Sequence, residues 1–336
     1  MFEVMVNDSS AVAEARRRAV AAGAALGFDE VRAGQLAIVA TELGTNLIKH
    51  GGGGRLLVGC GSDHIDLLAL DKGPGMADVP RCLADGYSSA GTAGNGLGAV
   101  RRLAQAFHVA SWPAKGTVVM ACLSRKGESA CEPRQEDAVG GVCIAKPGEQ
   151  ACGDAWAAHD AADGCRIVFM VDGLGHGTEA AVAANEAVAQ FQRSRHEPPA
   201  QIIQAVHQAL RHTRGGAVAV ARMDPASGTV AFAGLGNIAA SVVVPGGAAR
   251  RMVSHNGTAG HNARKIQAFD YPCAPGGVLV MHSDGLSSGW SLDAYPGLAR
   301  MHPLLGAAVL YRDFARGRDD ATAVLARMPV VKGALP

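Results

Sequence analysis

Four aspartates stand beside apolar runs between residues 154 and 319 of this 336-residue chain. Asp172 closes the apolar residues 167–171 and opens Asp172-Gly-Leu-Gly-His-Gly177. Asp284 lies in His282-Ser-Asp-Gly-Leu286, directly after the strand-like residues 277–281. Asp154 lies in Cys152-Gly-Asp-Ala-Trp156, and Asp319 in Arg318-Asp-Asp-Ala-Thr-Ala-Val-Leu325, where the acid precedes a strand. An acid at the mouth of a buried strand, followed by a glycine turn, presents a carboxylate and a bare carbonyl to one cation. Hard divalent ions such as Mg2+ or Mn2+ take such oxygens. Asp-Gly is also a common turn pair that needs no metal. Four such acids within one domain-sized segment nevertheless suggest a carboxylate cluster that holds two metals.

A second set lies in the first half. A helix is expected over residues 30–49, with Leu36, Val39, Leu43 and Leu47 facing the core. Glu42, Asn46, Lys49 and His50 share another stripe of it. A solvated face is the plain reading of that stripe, but asparagine is a poor helix-interior residue unless its amide has a task. Gly44, in mid-helix, is read as close packing against a nucleotide or a neighbouring strand. Asp71-Lys-Gly-Pro-Gly-Met76 follows an apolar strand, and its glycines allow close approach of a flat ligand, with a simple turn as the alternative. Gly91-Thr-Ala-Gly-Asn-Gly-Leu-Gly98 leads into a helix whose apolar side is Leu97, Val100, Leu103, Ala104 and Phe107. Such a loop offers backbone amides and a positive dipole end to phosphates. It does not follow a strand in a parallel unit, so a Rossmann dinucleotide site is disfavoured.

The elements that must position these groups follow from the pattern. In the first half, strands are expected at residues 2–6, 55–60, 65–70 and 117–123, with a helix capped by Ser9 or Ser10 after the first. Residues 125–138 read as a polar linker. Beyond it, strands are expected at 139–145, 151–159, 217–223, 229–235, 238–244 and 249–253. Thr178 opens a helix with Ala181, Ala184, Val188 and Phe191 inward, and Pro198-Pro199 opens another with Ile202, Val206 and Leu210 inward. The fold class is α+β in two domains, residues 1–124 and 139–330, the second with two packed antiparallel sheets covered by helices.

Composition narrows the classes. Hydrophobic residues make up 48%, enough for two cores. Charged residues make up 18% and the net charge is +1, so there is no electrostatic case for nucleic acid or an anionic membrane. No apolar run reaches a membrane span, and the first residues lack the pattern of a signal peptide. The eight cysteines form no Cys-x-x-Cys pair, which speaks against zinc, and scattered thiols fit a cytoplasmic protein.

The acidic blocks, in their order, resemble the metal-dependent (PPM-type) serine/threonine protein phosphatases, in the SpoIIE/RsbX-like branch of partner-switching systems. That resemblance implies an α-β-β-α sandwich. It implies that Asp172, Asp284 and Asp319 ligate metal, that the Gly173 carbonyl ligates the second ion, and that Asp154 holds a water of the metal centre. Two ions would then activate that water for attack on phosphorus and neutralise the phosphate oxygens. Eukaryotic members carry an arginine upstream of the Gly-Asp block; here that stretch is Lys146-Pro-Gly-Glu-Gln-Ala-Cys152, so substrate grip must come from elsewhere. His176 is read as a turn residue or an outer proton donor.

The first half resembles the ATP-binding fold of histidine kinases, gyrase-type ATPases and anti-sigma serine kinases (GHKL type), an α/β sandwich. The resemblance rests on Glu42-Leu-Gly-Thr-Asn-Leu-Ile-Lys-His50, Asp71 to Gly75, and Gly94-Asn-Gly-Leu-Gly98. It implies that Asn46 coordinates the Mg2+ of ATP and that Asp71 bonds the adenine amino group. Gly73 and Gly75 would line the base pocket, Gly94, Gly96 and Gly98 would approach the phosphates, and Glu42 would be the base that accepts the hydroxyl proton. Without a phosphoacceptor-histidine domain, the anti-sigma serine-kinase branch is favoured. The implied partner is a small antagonist-type (STAS-like) protein of a sigma-factor switching pathway, and the branch allows a homodimer. In another class of reading, the first half is a nucleotide-gated binding module without turnover. In a third, only the kinase half works.

Overall fold

The structure, a computed structural model, describes residues 1–83, 96–126, 138–244 and 247–330, and the chain divides into two compact units, Met1–Arg134 and Gln135–Pro336.

In the first unit, β1 (Phe2–Val6), α1 (Ser9–Ala25), α2 (Glu30–Gly51), β2 (Gly54–Cys60), β3 (His64–Leu70), the short α3 (Val79–Cys82), α4 (Gly96–Leu103), β4 (Ala106–Ser111) and β5 (Thr117–Ser124) follow in order. The strands form one antiparallel sheet in the order β1-β2-β3-β5-β4. Alternation along the strands turns Leu56, Val58, Ile65, Leu67, Ala121 and Leu123 towards the apolar stripe of α2, where Leu36, Val39, Leu43 and Leu47 are buried. α2 is capped at its start by Asp29, whose carboxylate accepts from Arg32 N, and at its end by Gly52 in the left-handed region.

Three local expectations change. Asp8, not a serine, caps α1: its carboxylate accepts from the amides of Ser10 and Ala11 at 2.9 Å each. Gly44 faces neither nucleotide nor strand. A Cβ there would meet both methyls of Val12 at 3.1 Å, so the glycine lets α1 and α2 cross closely. Phe107 belongs not to a helix but to β4, opposite Ala121. The chain turns at Gln105, whose amide donates to Cys122 O and whose side chain accepts from Ser124 N.

The second unit contains β6 (Val139–Ile144), β7 (Asp154–Asp160), β8 (Arg166–Gly173), α5 (Thr178–Ser194), α6 (Pro199–Ala209), β9 (Gly216–Asp224), β10 (Thr229–Leu235), β11 (Ala239–Val243), β12 (Arg250–Arg251), β13 (Ala268–Pro272), β14 (Val278–His282), α7 (Pro303–Phe314) and β15 (Ala321–Arg327). They make two five-stranded antiparallel sheets, β13-β10-β9-β8-β7 and β12-β11-β14-β15-β6. Val168, Met170, Ala219, Ala221 and Phe232 of the first sheet pack against Leu279, Met281, Val324 and Ala326 of the second. Ile167, Phe169, Val171, Val218 and Val220, on the opposite face of the first sheet, pack under α5 and α6, with Phe169 stacked on Phe191 at 5.0 Å. α7 lies against β15 and β6. It is apolar almost all round and nearly wholly buried, so it carries no amphipathic period to announce it. The result is an α-β-β-α sandwich. Among the described residues no helix is long and apolar enough to cross a membrane.

Candidate metal and nucleotide sites

Strand register builds the acidic centre. β7 pairs with β8 so that Asp154 stands opposite Asp172, and residues directly opposite in an antiparallel pair share a face. In the other sheet β14 ends two residues before Asp284 and β15 begins two residues after Asp319. Those two approaches are tied together: Ser283 N donates to Thr322 O at 3.1 Å, and Thr322 N donates to Ser283 Oγ at 3.0 Å.

The carboxylates feel one another. Burial pushes Asp172 up to about 8, and Asp154, Asp284, Asp319 and Asp320 push the same way. Burial pushes Asp154 up to about 7; the Ser283 and Thr322 hydroxyls oppose this, and Asp320 and Asp319 add to it. Asp154 is only 4% exposed, and its Oδ2 has no hydrogen-bond partner. Asp284 and Asp319 are exposed at the mouth, where Asn237 Nδ2 donates to Asp284 Oδ2 at 2.8 Å. The four acids singled out in the sequence therefore converge. An orphaned buried oxygen among oxygen donors that repel one another is the environment a hard divalent cation relieves.

Glycines make the convergence possible. A Cβ on Gly173 would stand 2.5 Å from Ala180 O and 2.9 Å from Gly153 O, and one on Gly285 would stand 1.9 Å from Asp320 O. Gly173 N donates to Gly153 O at 2.9 Å, which seats the two turns side by side.

Asp320 was not singled out from the sequence. It is buried, and its two oxygens accept from Lys146 N and Gly153 N, each at 2.8 Å. It thereby fixes the turn that carries Asp154. The signal available was the doubled acid Asp319-Asp320. Two further features flank the Asp172 turn. His176 Nδ1 lies 2.6 Å from Glu149 Oε1, on the surface. Arg214 pairs with Glu179 in the first turn of α5. With Leu174, Val182, His212 and His261, Arg214 lines an open cavity of about 790 Å³. A guanidinium thus stands beside the metal-type turn, although the stretch before Gly153 has none.

The nucleotide-type pocket is built on α2. Glu42 and Asn46 are one turn apart, and Gly96, the first residue of α4, comes against both. A Cβ on Gly96 would stand 2.8 Å from Glu42 Oε2 and 3.7 Å from the Asn46 amide. Asn46 Nδ2 is buried without a partner, an amide shaped for a ligand oxygen. Asp71 Oδ1 accepts from Gly73 N at 2.8 Å and Thr117 N at 3.1 Å. Gly73 lies against the end of α2, where a Cβ would be 2.8 Å from His50 O. Gly75 has φ +72°, and a Cβ there would be 2.0 Å from Trp112 O. Gly98 is buried in α4. Gly94 lies outside the described residues.

Fold and sites together define a class: a kinase-like ATPase unit joined to a PPM-type phosphatase unit. Residues 162–329 match the family model for Stage II sporulation protein E (SpoIIE), and residues 5–122 match that for the histidine kinase-like ATPase domain. The chain belongs to the SpoIIE family, with the ATPase domain in the same polypeptide. Its first half is similar to the serine/threonine-protein kinase RsbT of Bacillus subtilis strain 168, 31% identical over 100 residues, which is 29% of this chain and 75% of RsbT. A chain solved in work on the bacterial stressosome is 30% identical with a TM-score of 0.53, over 56% of this chain and 98% of that one. RsbX in complex with magnesium, at 18% identity and a TM-score of 0.50, over 59% of this chain and 98% of that one, shares the fold.

Proposed function

We propose that the chain is a partner-switching regulator with two opposed activities on a protein serine or threonine. The second unit, taken as residues 139–330, removes the phosphate; the first, taken as residues 1–124, adds it from ATP, with residues 125–138 as the linker. The observation that carries the reading is the convergence of Asp154, Asp284 and Asp319 on Asp172, with one buried carboxylate oxygen of Asp154 left unpartnered.

Asp172, Asp284, Asp319 and the Gly173 carbonyl would hold Mn2+ or Mg2+, and Asp154 would hold a water of that centre. Bound divalent ions supply Lewis acidity for hydrolysis and neutralise the phosphate oxygens. The residues of this chain do the positioning. Asp320 fixes the Asp154 turn through two amides, and Asn237 orients Asp284. Arg214 offers a cation to an incoming phosphate beside the Asp172 turn.

In the first unit, Asn46 would meet the Mg2+ of ATP and Asp71 the adenine amino group. Gly73 and Gly75 would flank the base, and Gly94, Gly96 and Gly98 the phosphates. Glu42 would accept the proton of the attacking hydroxyl. The similarity to RsbT supports a kinase, and a small STAS-like antagonist of a sigma-factor switch is the substrate it suggests.

A second reading keeps the nucleotide without turnover, because an orphaned Asn46 amide and close glycines fit bound ATP in either case. Purification of the full chain with its partner, followed by mass spectrometry of the partner after ATP and then after Mn2+, tests both. One serine that gains and then loses phosphate supports the opposed pair. A partner retained with no gain of phosphate supports the binding module, and a phosphate that persists with Mn2+ removes the phosphatase.

A further inference from the structure

We propose that Cys143 and Cys152 form a reversible disulfide under peroxide and that this bond weakens the divalent-metal site. Nine residues apart in sequence, the two sulfurs lie 3.4 Å from each other, in direct contact. Both residues are half-buried rather than sealed in a core, and hydrogen peroxide is small. Cys143 sits on β6, an edge strand of one sheet; Cys152 immediately precedes Gly153 and β7, the edge strand of the other. The bond would staple the two sheet edges at the end where the acids gather.

The chemistry balances with hydrogen peroxide as oxidant. One thiol, as thiolate, attacks a peroxide oxygen; the O–O bond breaks, and water leaves after protonation. The resulting sulfenic acid is attacked by the second thiol, the S–S bond forms and the S–O bond breaks, and a second water leaves. Two thiols are oxidised by two electrons in total and one peroxide is reduced to two waters. A dithiol reductant reverses the step.

The coupling to the metal site follows from local crowding. The sulfurs must close from 3.4 Å to about 2.0 Å. The segment that would move has little slack: a Cβ on Gly153 would stand 2.7 Å from Ala180 Cβ and 2.8 Å from Asp320 Oδ2, and Gly153 N is bonded to that oxygen. The Cys143 thiol also donates to the main-chain oxygen of Asp154 at 3.4 Å, a contact that oxidation removes. Displacement therefore reaches Asp154 and its Asp320 anchor directly.

The coupling rests on the metal reading above, whereas the cross-link does not, and the test separates them. The full chain, freed of metal, is treated with hydrogen peroxide, digested without reductant and weighed. The expected product joins Cys143 to Cys152, is lighter by two hydrogens and is lost with dithiothreitol. Mn2+ titrated into the oxidised protein should bind roughly tenfold more weakly than into the reduced one, with recovery on reduction. Cys143→Ser and Cys152→Ser should each abolish the cross-link and the peroxide response, and Cys143→Ser should keep the reduced protein's Mn2+ affinity. Recovery of the two cysteines as free thiols, as separate sulfinic acids or in bonds to other cysteines would overturn the disulfide. A cross-link that leaves Mn2+ affinity unchanged would overturn the coupling. Absence of Mn2+ binding to the reduced protein would instead sink the metal reading, with the cross-link still read by mass.

Discussion

The nucleotide-type pocket takes Glu42 and Asn46 from adjacent turns of one helix, whereas the acidic centre collects its carboxylates from four separate stretches of chain. Glu42 and Asn46 are aligned by helical geometry alone, and glycines then bring Gly96 and the Asp71 turn to them. Asp154 and Asp172 meet by strand pairing, and Asp284 and Asp319 arrive on the other sheet. The pocket's oriented groups are local and largely preformed. The acidic centre is non-local, and its like charges oppose its assembly. Substitutions should therefore act differently in the two places.

The largest expected effect lies in the pocket. Glu42→Ala should slow phosphoryl transfer to the partner by about 10²–10⁴-fold, the usual loss on removing a general base, with ATP binding retained. Unchanged transfer in that variant would remove Glu42 from the chemistry and favour the binding module. The acidic centre offers the second test. Asp320→Asn keeps one acceptor oxygen and turns a donor towards an amide of Lys146 or Gly153. Mn2+ affinity should fall about 10–100-fold, as for other outer partners of metal ligands, with ATP affinity unaltered. A matching fall in ATP affinity would show that the two sites are not independent.

The pH dependence is the effect most characteristic of the acidic centre. A carboxyl whose pKa rises on folding contributes stability that is complete below its unfolded value and lost as pH climbs through its folded value. For Asp172 that window runs from 3.8 to about 8, and for Asp154 from 3.8 to about 7. The metal-free second unit should thus melt at lower temperature as pH rises across that range, and saturating Mn2+ should reverse the trend. Melting curves at several pH values with and without Mn2+ check it; a metal-free protein that gains stability from pH 5 to pH 8 would contradict the crowding of the acids.

Much of this was legible in the sequence because the signals were local. Strand-end acids, the helix carrying Glu42 and Asn46, and the Asp71 turn each announce themselves within a few residues. What escaped depends on long-range placement. Asp320 matters through amides 174 and 167 residues away in sequence. Arg214 reaches the Asp172 turn because Leu174 N donates to Gly215 O at 2.9 Å, a pairing no local pattern encodes. α7 escaped because a helix buried on all sides has no polar face. Gly44 packs on Val12 rather than on a nucleotide or a strand, and a glycine in a helix signals close approach without saying of what. The contact of Cys143 with Cys152 spans two sheets and likewise has no spacing rule behind it.

The carboxylates of the second unit are the proposed centre on which both metal binding and hydrolysis depend. Mn2+ titrated calorimetrically into the full chain, with phosphate release from a phosphoserine peptide measured on the same samples, tests it most directly. Saturable binding and hydrolysis are predicted for the native chain. Asp172→Asn should lose both, hydrolysis by more than about 10²-fold, beyond the range of outer-partner substitutions. Binding and hydrolysis that persist undiminished in Asp172→Asn would contradict the assignment of this cluster as the metal centre.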